Sequence, residues 1–483
     1  MLRYRRRLLA FRSSPVVWSA WLLISAVAAT ALSQRDGLTI VRALLGGSFA
    51  VMALVPICIG VVSGRRLLDD PIYVALLTYA LFIGIGPAIP IFTRALGQAS
   101  LTLHLGAVVA SWLGAIAMVG GYACARSVRR AVHRLPAGSS DQFDPAVLRA
   151  FSMLYTALGV LGVALCVIAN GGLTELFHLR YGGRAEAHLT SGLTYEALRA
   201  GLFLAIASVG LSGEITLVRW ALLTTYILWD LLWFGPIHGS RNQVITIFLS
   251  SIFLISRLLP SLRGIKAHAQ QAALTLLCLS IVIVWGAMRA TSTSAQFLAQ
   301  PLHAREGTEW RALALTLYAP YDTLSKIVRA VPDDLPYQYG ATFLEGLTAW
   351  VPRSIWADKP AGLGLYSESV LYQPTRGNSV ATWPGELYWD FGLYGVVLGA
   401  FALGAFCGAM ALTPADRERP ARALLYGVTF PIVLPWIWGG SAEAAWYFYE
   451  NILPVGIAIY FARRSATARA LLRRSGCPHF GRS

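Results

Sequence analysis

The chain has 483 residues, of which 56% are hydrophobic and only 13% are charged, and its formal net charge is +16. A soluble protein would be about one quarter charged, and here the apolar residues come in blocks of about 20, long enough to cross a hydrocarbon core as helix. This composition excludes a soluble globular protein. The cations lie in short segments between the apolar blocks, where orientation rules place them, so nucleic acid is not expected as a partner.

Twelve apolar segments are predicted to cross the membrane as helices. They are residues 15–33, 43–63, 71–92, 102–123, 151–170, 193–212, 217–235, 243–260, 269–289, 386–411, 423–440 and 445–462. Lysines and arginines concentrate in alternate connecting segments, which predicts that both termini are cytoplasmic. We therefore expect an all-α polytopic membrane protein with about 12 transmembrane helices.

The spans divide the chain into four regions. Residues 1–289 hold the first nine helices, 290–385 form one large outer loop, 386–462 hold the last three helices, and 463–483 form a basic cytoplasmic tail. The large loop is predicted to be structured, because ATFLEGLTAWV (341–351) places its apolar side chains on one helical stripe. Such a short helix would lie in the membrane interface and end at Pro352. Four tryptophans are expected at headgroup depth, namely Trp350, Trp356, Trp383 and Trp389.

Cations occur in three outer loops on the same side of the predicted membrane. They are Arg180 and Arg184 in the first loop, His238 and Arg241 in the second, and Arg353, Lys359 and Arg376 in the large loop. The planar fork of arginine suits phosphate oxygens, and lysine adds a point charge, so these residues are candidates for binding a phosphate-bearing lipid headgroup. Arg180 and Arg241 could instead simply anchor span ends to lipid phosphates.

Carboxylates on the outer side are scarce, and two of them lie four residues apart in WPGELYWDFG at the start of the tenth span. Glu386 there is a candidate general base, with helix capping as the alternative, and Asp390 is a candidate for an ion pair inside the bundle.

Charges also occur within spans: Glu196 and Arg199 are spaced to pair on one helix face, and Asp230 faces inward or toward a cavity. No histidine or aspartate cluster has metal-ligand spacing, and neither a P-loop nor a Gly-x-Ser-x-Gly motif occurs.

Two stretches carry a resemblance to a known family. YGATFLEGLTAWVPRSIWADKP (339–360) and WPGELYWDFGLYG (383–395), with many spans and a long outer loop late in the chain, resemble the Wzy-type polysaccharide polymerases, the oligosaccharide repeat-unit polymerase family. Arg353 and Gly364 also match the Arg-x10-Gly spacing found in some outer loops of that family, whereas Arg180, Arg184 and Arg241 do not.

The resemblance implies a GT-C-like fold in a bacterial inner membrane, with the large loop in the periplasm. It implies transfer of a growing glycan from undecaprenyl diphosphate onto an incoming lipid-linked repeat unit, on the outer face of that membrane. Arg353 and Lys359, helped by Arg241 and Arg184, would bind the diphosphates, and Glu386 would activate the acceptor hydroxyl. No metal or other cofactor is expected, because arginines can stabilise the charge that develops on phosphate. Undecaprenyl-diphosphate-linked oligosaccharides, membrane lipids, a chain-length regulator and a flippase are the implied partners.

Two other functions are compatible with the sequence. An O-antigen ligase would use the same bond chemistry on a different acceptor, and its outer loops would also be cationic. A 12-helix transporter or lipid flippase would be expected to show two similar halves with midplane charges at corresponding positions, and no such symmetry is visible here.

Overall fold

The structure is a computed structural model. It describes residues 67–84, 86, 105–132, 143–172, 175, 196–212, 216–233, 241–258, 308–348, 351, 356, 370–371, 381–413, 416 and 419–474. Within these ranges every regular element is a helix, so the predicted all-α class is confirmed.

The α-helices are, in chain order, α1 (Pro71–Tyr79), α2 (Leu105–Val132), α3 (Pro145–Ala169), α4 (Ala197–Ser212), α5 (Leu217–Leu232), α6 (Arg241–Leu258), α7 (Thr308–Ala330), α8 (Ala341–Thr348), α9 (Trp383–Met410), α10 (Pro420–Thr429), α11 (Val433–Tyr447) and α12 (Leu453–Arg474). Two π-helical turns, Ala80–Gly84 and Phe448–Ile452, extend α1 and join α11 to α12.

The described helices overlap the predicted spans from 71–92 to 243–260 and from 386–411 to 445–462. In the described part of the chain, four helical stretches are long and apolar enough to cross a membrane, by length and composition: Leu105–Arg129, Pro145–Ala169, Trp383–Met410 and Pro420–Ala470. These apolar helices indicate a membrane protein. The predicted spans 15–33, 43–63 and 269–289 lie outside the described residues.

Local sequence explains where several helices begin. Pro145 and Pro384 occupy first-turn positions, where the missing proline N–H has no helical partner to lose. The residue before each of these helices is a capping residue: Asp144 accepts a hydrogen bond from the Ala146 N–H at 3.1 Å, and Thr382 Oγ1 accepts one from the Gly385 N–H at 3.3 Å. The start of α9, which carries Glu386, is therefore fixed by its own sequence.

The chain divides into two compact units. Unit 1 holds the described parts of 1–135, 301–411 and 432–446, and unit 2 holds those of 136–300, 412–431 and 447–483. In unit 1, α2 packs closely along α9, and a Cβ added at Gly121 or Gly404 would collide with a carbonyl oxygen of the facing helix. Such close backbone approach through small residues is typical of helices packed within membranes. In unit 2, α3 packs along α4 in a similar way.

The predicted large loop, 290–385, contains a long helix that sequence reasoning did not assign. This helix, α7, is amphipathic, and it buries Tyr321, Leu324 and Ile327 on one side. Ile327 continues into a small core with Val331, Ala381 and Trp389. The loop segment is thus packed onto the beginning of α9 inside unit 1.

Candidate functional site

Glu386 lies in the first turn of α9, and only 1% of it is exposed. Its partner is Ser441 of α11, which also belongs to unit 1. The Ser441 N–H donates to Glu386 Oε2 at 2.7 Å, and the Ser441 hydroxyl donates to Glu386 Oε1. Both oxygens of this buried carboxylate therefore accept hydrogen bonds from one residue.

The reason for this contact is a break in α11 at Gly440. Gly440 has φ 80° and ψ −162°, a conformation open essentially only to glycine, so a new helical segment begins at Ser441. The first N–H groups of a helical segment lack partners inside the helix, and they favour a negative charge. Glu386 supplies that charge. Glu386 therefore caps the N-terminus of the second part of α11. The sequence had suggested that it would cap α9, the helix to which it belongs.

A second break brings Asp390 to the same place. Gly392 interrupts α9 with φ 63° and ψ −151°, which leaves carbonyl groups just before it without their usual helical donors. The Gln338 N–H donates to the Trp389 carbonyl at 3.1 Å, and the Tyr339 N–H donates to the Asp390 carbonyl at 3.3 Å. The segment before α8 therefore replaces the lost helical bonds and lies directly against the break.

Asp390 is fully buried, and its side chain accepts a hydrogen bond from the Thr342 hydroxyl. The ion pair expected for Asp390 is not found among the described residues, where its side-chain partner is this hydroxyl. Ser441 also lies beside Thr342, with its hydroxyl 3.5 Å from the Thr342 carbonyl oxygen. Thr342 and Ser441 thus join the two carboxylates into one cluster, which we call the carboxylate cluster (Glu386, Asp390, Thr342 and Ser441).

The carboxylate cluster is held by neutral donors. In the described part of unit 1, neither Glu386 nor Asp390 forms a salt bridge, and their partners are hydroxyl and amide groups. A carboxylate held in this way can accept a proton without breaking an ion pair, which suits general base catalysis. A substrate hydroxyl would have to reach Glu386 in place of the Ser441 hydroxyl.

Aromatic side chains close in sequence to the cluster residues pack against one another. Trp383 makes edge-to-face contacts with Phe343 and Trp436, at ring-centroid distances of 5.6 and 5.5 Å. Trp383 and Trp389 are buried within the protein, 5% and 0% exposed, so their rings pack in the core, and their depth in the membrane stays a prediction. Trp356 is partly exposed, at 37%, and Trp350 lies outside the described residues.

The short helix α8 has the orientation expected of an interfacial helix. It buries Thr342, Glu345 and Gly346 toward the protein, whereas Leu344 and Leu347 are 57% and 64% exposed. A helix that buries its polar side chains and exposes leucines is suited to an apolar environment outside the protein. This orientation also turns Thr342 toward Asp390.

The predicted cationic residues are not part of the described site. Arg180, Arg184, His238, Arg353, Lys359 and Arg376 lie outside the described residues. Arg241 is the first residue of α6 in unit 2, and its side chain also lies outside what is described. The diphosphate-binding role of all seven stays a prediction.

Two of the charges predicted within spans, Glu196 and Arg199, belong to an ion-pair cluster in unit 2. Arg199 is 1% exposed, and its guanidinium donates to Glu196, as the sequence spacing predicted. It also donates to Glu450, a partner that the sequence did not indicate. Gln243 Nε2 donates to Glu196 Oε1 at 3.0 Å. One arginine thus holds two buried glutamates.

In the described ranges, no group of three or more histidine, cysteine, aspartate or glutamate side chains is arranged to hold a metal ion. Comparison with family models, with curated proteins and with solved structures finds no match to this chain.

Proposed function

We propose that the protein is a polysaccharide polymerase that joins undecaprenyl-diphosphate-linked oligosaccharide repeat units on the outer face of a bacterial inner membrane. The proposal includes twelve transmembrane helices in a GT-C-like arrangement, with both termini in the cytoplasm and the large loop in the periplasm. It requires a membrane protein with a polar site that excludes bulk water, and unit 1 is compatible with both requirements.

One observation carries the proposal. The two stretches that carry the family resemblance, 339–360 and 383–395, are separate in the sequence, and their described parts meet at the carboxylate cluster. Thr342 of the first stretch binds Asp390 of the second, and Gln338 and Tyr339 bind carbonyls of the second stretch. Glu386 lies within the second stretch. The residues that support the resemblance therefore meet at Asp390, which belongs to the same cluster as the candidate base Glu386.

The proposed reaction assigns one task to each group. The acceptor sugar hydroxyl attacks the anomeric carbon of the donor glycan, the bond from that carbon to the diphosphate oxygen breaks, and its electron pair leaves with undecaprenyl diphosphate. Glu386 takes the proton of the acceptor hydroxyl. Arg353 and Lys359, with Arg184 and Arg241, stabilise the negative charge that develops on the leaving phosphate. Arg180, His238 and Arg376 are the remaining candidates for binding the substrate.

A transporter or lipid flippase is the second candidate, because two features of the described helices favour it. Discontinuous helices and charges buried within spans are typical of transporters, and unit 1 has breaks at Gly392 and Gly440, while unit 2 buries the Arg199 ion pairs. An O-antigen ligase would use the same carboxylate and cations on another acceptor, so the product must distinguish it from a polymerase.

The test is the surface glycan profile of a deletion strain complemented with the original gene, with Arg353→Ala or with Arg329→Ala. Arg329 is an exposed arginine of α7 and serves as the matched control. We expect single repeat units instead of a ladder in the deletion strain, rescue by Arg329→Ala, and no rescue by Arg353→Ala.

Other profiles would contradict the proposal. Accumulation of lipid-linked glycan with no repeat unit reaching its acceptor would indicate a ligase or a flippase. A ladder that is unchanged by the deletion would exclude polymerisation altogether.

A further inference from the structure

Asp230 of α5 is a fully buried carboxylate that the proposed polymerase chemistry does not use. It is 0% exposed, and neither of its side-chain oxygens has a hydrogen-bond partner among the described residues. Buried carboxylates are nearly always hydrogen-bonded or paired, because an isolated ionised carboxylate is very costly to bury. The burial of Asp230 without a described hydrogen-bond partner therefore needs a physical explanation.

Among the described residues, the charged groups near Asp230 do not balance its negative charge. From α4, Arg199 is close enough to interact with its charge. That guanidinium is already shared between Glu196 and Glu450, the latter on the π-helical turn Phe448–Ile452. The three buried carboxylates therefore face one guanidinium.

The helix α6, which also packs against α5, supplies no described cation at this position. It offers the neutral amide of Gln243, while the Arg257 guanidinium lies over the ring of Phe253 in the last turn of that helix. The side chain of Arg241 lies outside the described residues. Among the described groups, negative charges outnumber positive ones around Asp230. Protonation of Asp230 to the neutral carboxylic acid removes one of these negative charges.

A pair of hydrogen-bonded hydroxyl groups, one on α3 and one on α5, lies near Asp230. Tyr226 lies one helical turn before Asp230 on α5, near enough for the two side chains to interact electrostatically. The Tyr226 and Thr156 hydroxyl oxygens are 2.8 Å apart, and the Thr156 hydroxyl donates to the Ser152 carbonyl at 2.7 Å. The Tyr226 hydroxyl donates to the Leu198 carbonyl at 2.8 Å, so it can exchange a proton with Asp230 only after it turns away from that carbonyl.

We propose that Asp230 is a proton-binding site in unit 2, with Tyr226 and Thr156 as its route of exchange. The proton comes from water and adds to a carboxylate oxygen, and no other bond forms or breaks. The site is independent of the polymerase reaction, because it uses none of the groups of the carboxylate cluster.

The experiment is carbodiimide labelling of the full-length protein in membranes, because dicyclohexylcarbodiimide enters apolar regions and reacts with protonated carboxyl groups. Labelled positions are located by mass spectrometry across a range of pH, in sodium chloride and in choline chloride. We expect label at Asp230 that is lost as the pH rises, is equal in both salts and is absent from Asp230→Asn. Asp144, which is ion-paired with Arg469, is the internal control and should stay unlabelled.

Two results would overturn the proposal. Absence of label at Asp230 at every pH would mean that the group does not carry an exchangeable proton. Protection by sodium chloride but not by choline chloride would mean that the site takes a metal cation instead. The wild-type protein decides both points, even if Asp230→Asn fails to fold.

The exchange route has its own measurement. The infrared band of the Asp230 carboxylic acid, assigned by its loss in Asp230→Asn, shifts when deuterium replaces hydrogen. We expect Tyr226→Phe to retain the band and to slow its shift in deuterium oxide, because the substitution removes only the hydroxyl. An unchanged rate would remove Tyr226 from the route.

Discussion

Both units bury carboxylates, and they stabilise them with different partners. In unit 1, Glu386 and Asp390 accept hydrogen bonds from hydroxyls and from a helix N-terminus that a glycine break creates. In unit 2, Glu196 and Glu450 are held by the guanidinium of Arg199. A carboxylate bound to neutral dipoles can change its protonation state at little cost to its neighbours, whereas one in a buried ion pair cannot. This comparison is our reason for proposing a chemical role for the carboxylate cluster and a stabilising role for the ion pairs.

The largest expected effect is on stability and comes from Arg199→Leu. Removing the guanidinium leaves Glu196 and Glu450 buried without their cation, which should cost about 3–5 kcal/mol of unfolding free energy. Thermal unfolding of the purified protein in detergent measures it. Replacing both glutamates by glutamine in the same variant should restore part of the loss. Arg464→Leu, at an exposed arginine of α12, is the matched control and should leave the melting temperature unchanged. If Arg199→Leu and the wild type had the same melting temperature, the stabilising role of the ion pairs would be refuted.

Glu386→Gln should have the opposite profile, with little loss of stability and a large loss of activity. The amide keeps the size of the side chain and can still accept from the Ser441 N–H, but it cannot take a proton. General base catalysis typically contributes about 10²–10⁴-fold in rate, and a loss of that order is expected. Glycan chain length in a complemented deletion strain, at matched protein level, reports it. Full-length polymer from Glu386→Gln would leave Glu386 as a helix cap only.

Gly440→Ala should affect both properties. The backbone conformation of Gly440 disfavours any side chain by about 1–3 kcal/mol. In addition, the new Cβ would lie 2.5 Å from Glu386 Oε2. We expect a lower melting temperature together with shortened glycans. Gly456→Ala is the control, because a Cβ at Gly456 meets nothing within 4 Å among the described residues. If the two variants behave alike, the break in α11 does not position Glu386.

Ser441→Ala should have the smallest effect. It removes one hydrogen bond to Glu386 and leaves the backbone N–H in place, so the expected loss of stability is about 1 kcal/mol. If a substrate hydroxyl replaces the Ser441 hydroxyl during the reaction, polymerisation should continue at a reduced rate. The polymerisation rate of Ser441→Ala is compared with that of Glu386→Gln. A smaller loss in Ser441→Ala would show that Ser441 positions the carboxylate, whereas Glu386 takes the proton. A loss as large as that of Glu386→Gln would contradict these separate roles.

The sequence predicted the parts that depend on local pattern. Hydropathy located the described helices that overlap the predicted spans, and the three-residue spacing of Glu196 and Arg199 predicted their ion pair correctly. Glu386 and Asp390 were identified from their four-residue spacing at the start of a span. Each of these signals lies within one helix, where side-chain periodicity fixes which residues are neighbours.

The partners of those residues could not be predicted, because they come from distant parts of the chain. Ser441 is 55 positions from Glu386, and Glu450 is 251 positions from Arg199. The breaks at Gly392 and Gly440 could not be predicted from glycine alone, since other glycines, such as Gly114 and Gly120 of α2, lie within unbroken helix. The amphipathic pattern of α7 was present in the sequence, with Tyr321, Leu324 and Ile327 at three-residue spacing, and it could have been found.

The most direct test of the proposed function is polymerisation by the purified protein in detergent, with one lipid-linked oligosaccharide repeat unit as the only substrate. Product length is measured for the wild type and for Glu386→Gln at equal amounts of folded protein. We predict a ladder of products from the wild type and only unreacted repeat unit from Glu386→Gln. No ladder from the wild type, or equal ladders from both proteins, would contradict the assignment of the carboxylate cluster as the centre of a polymerase.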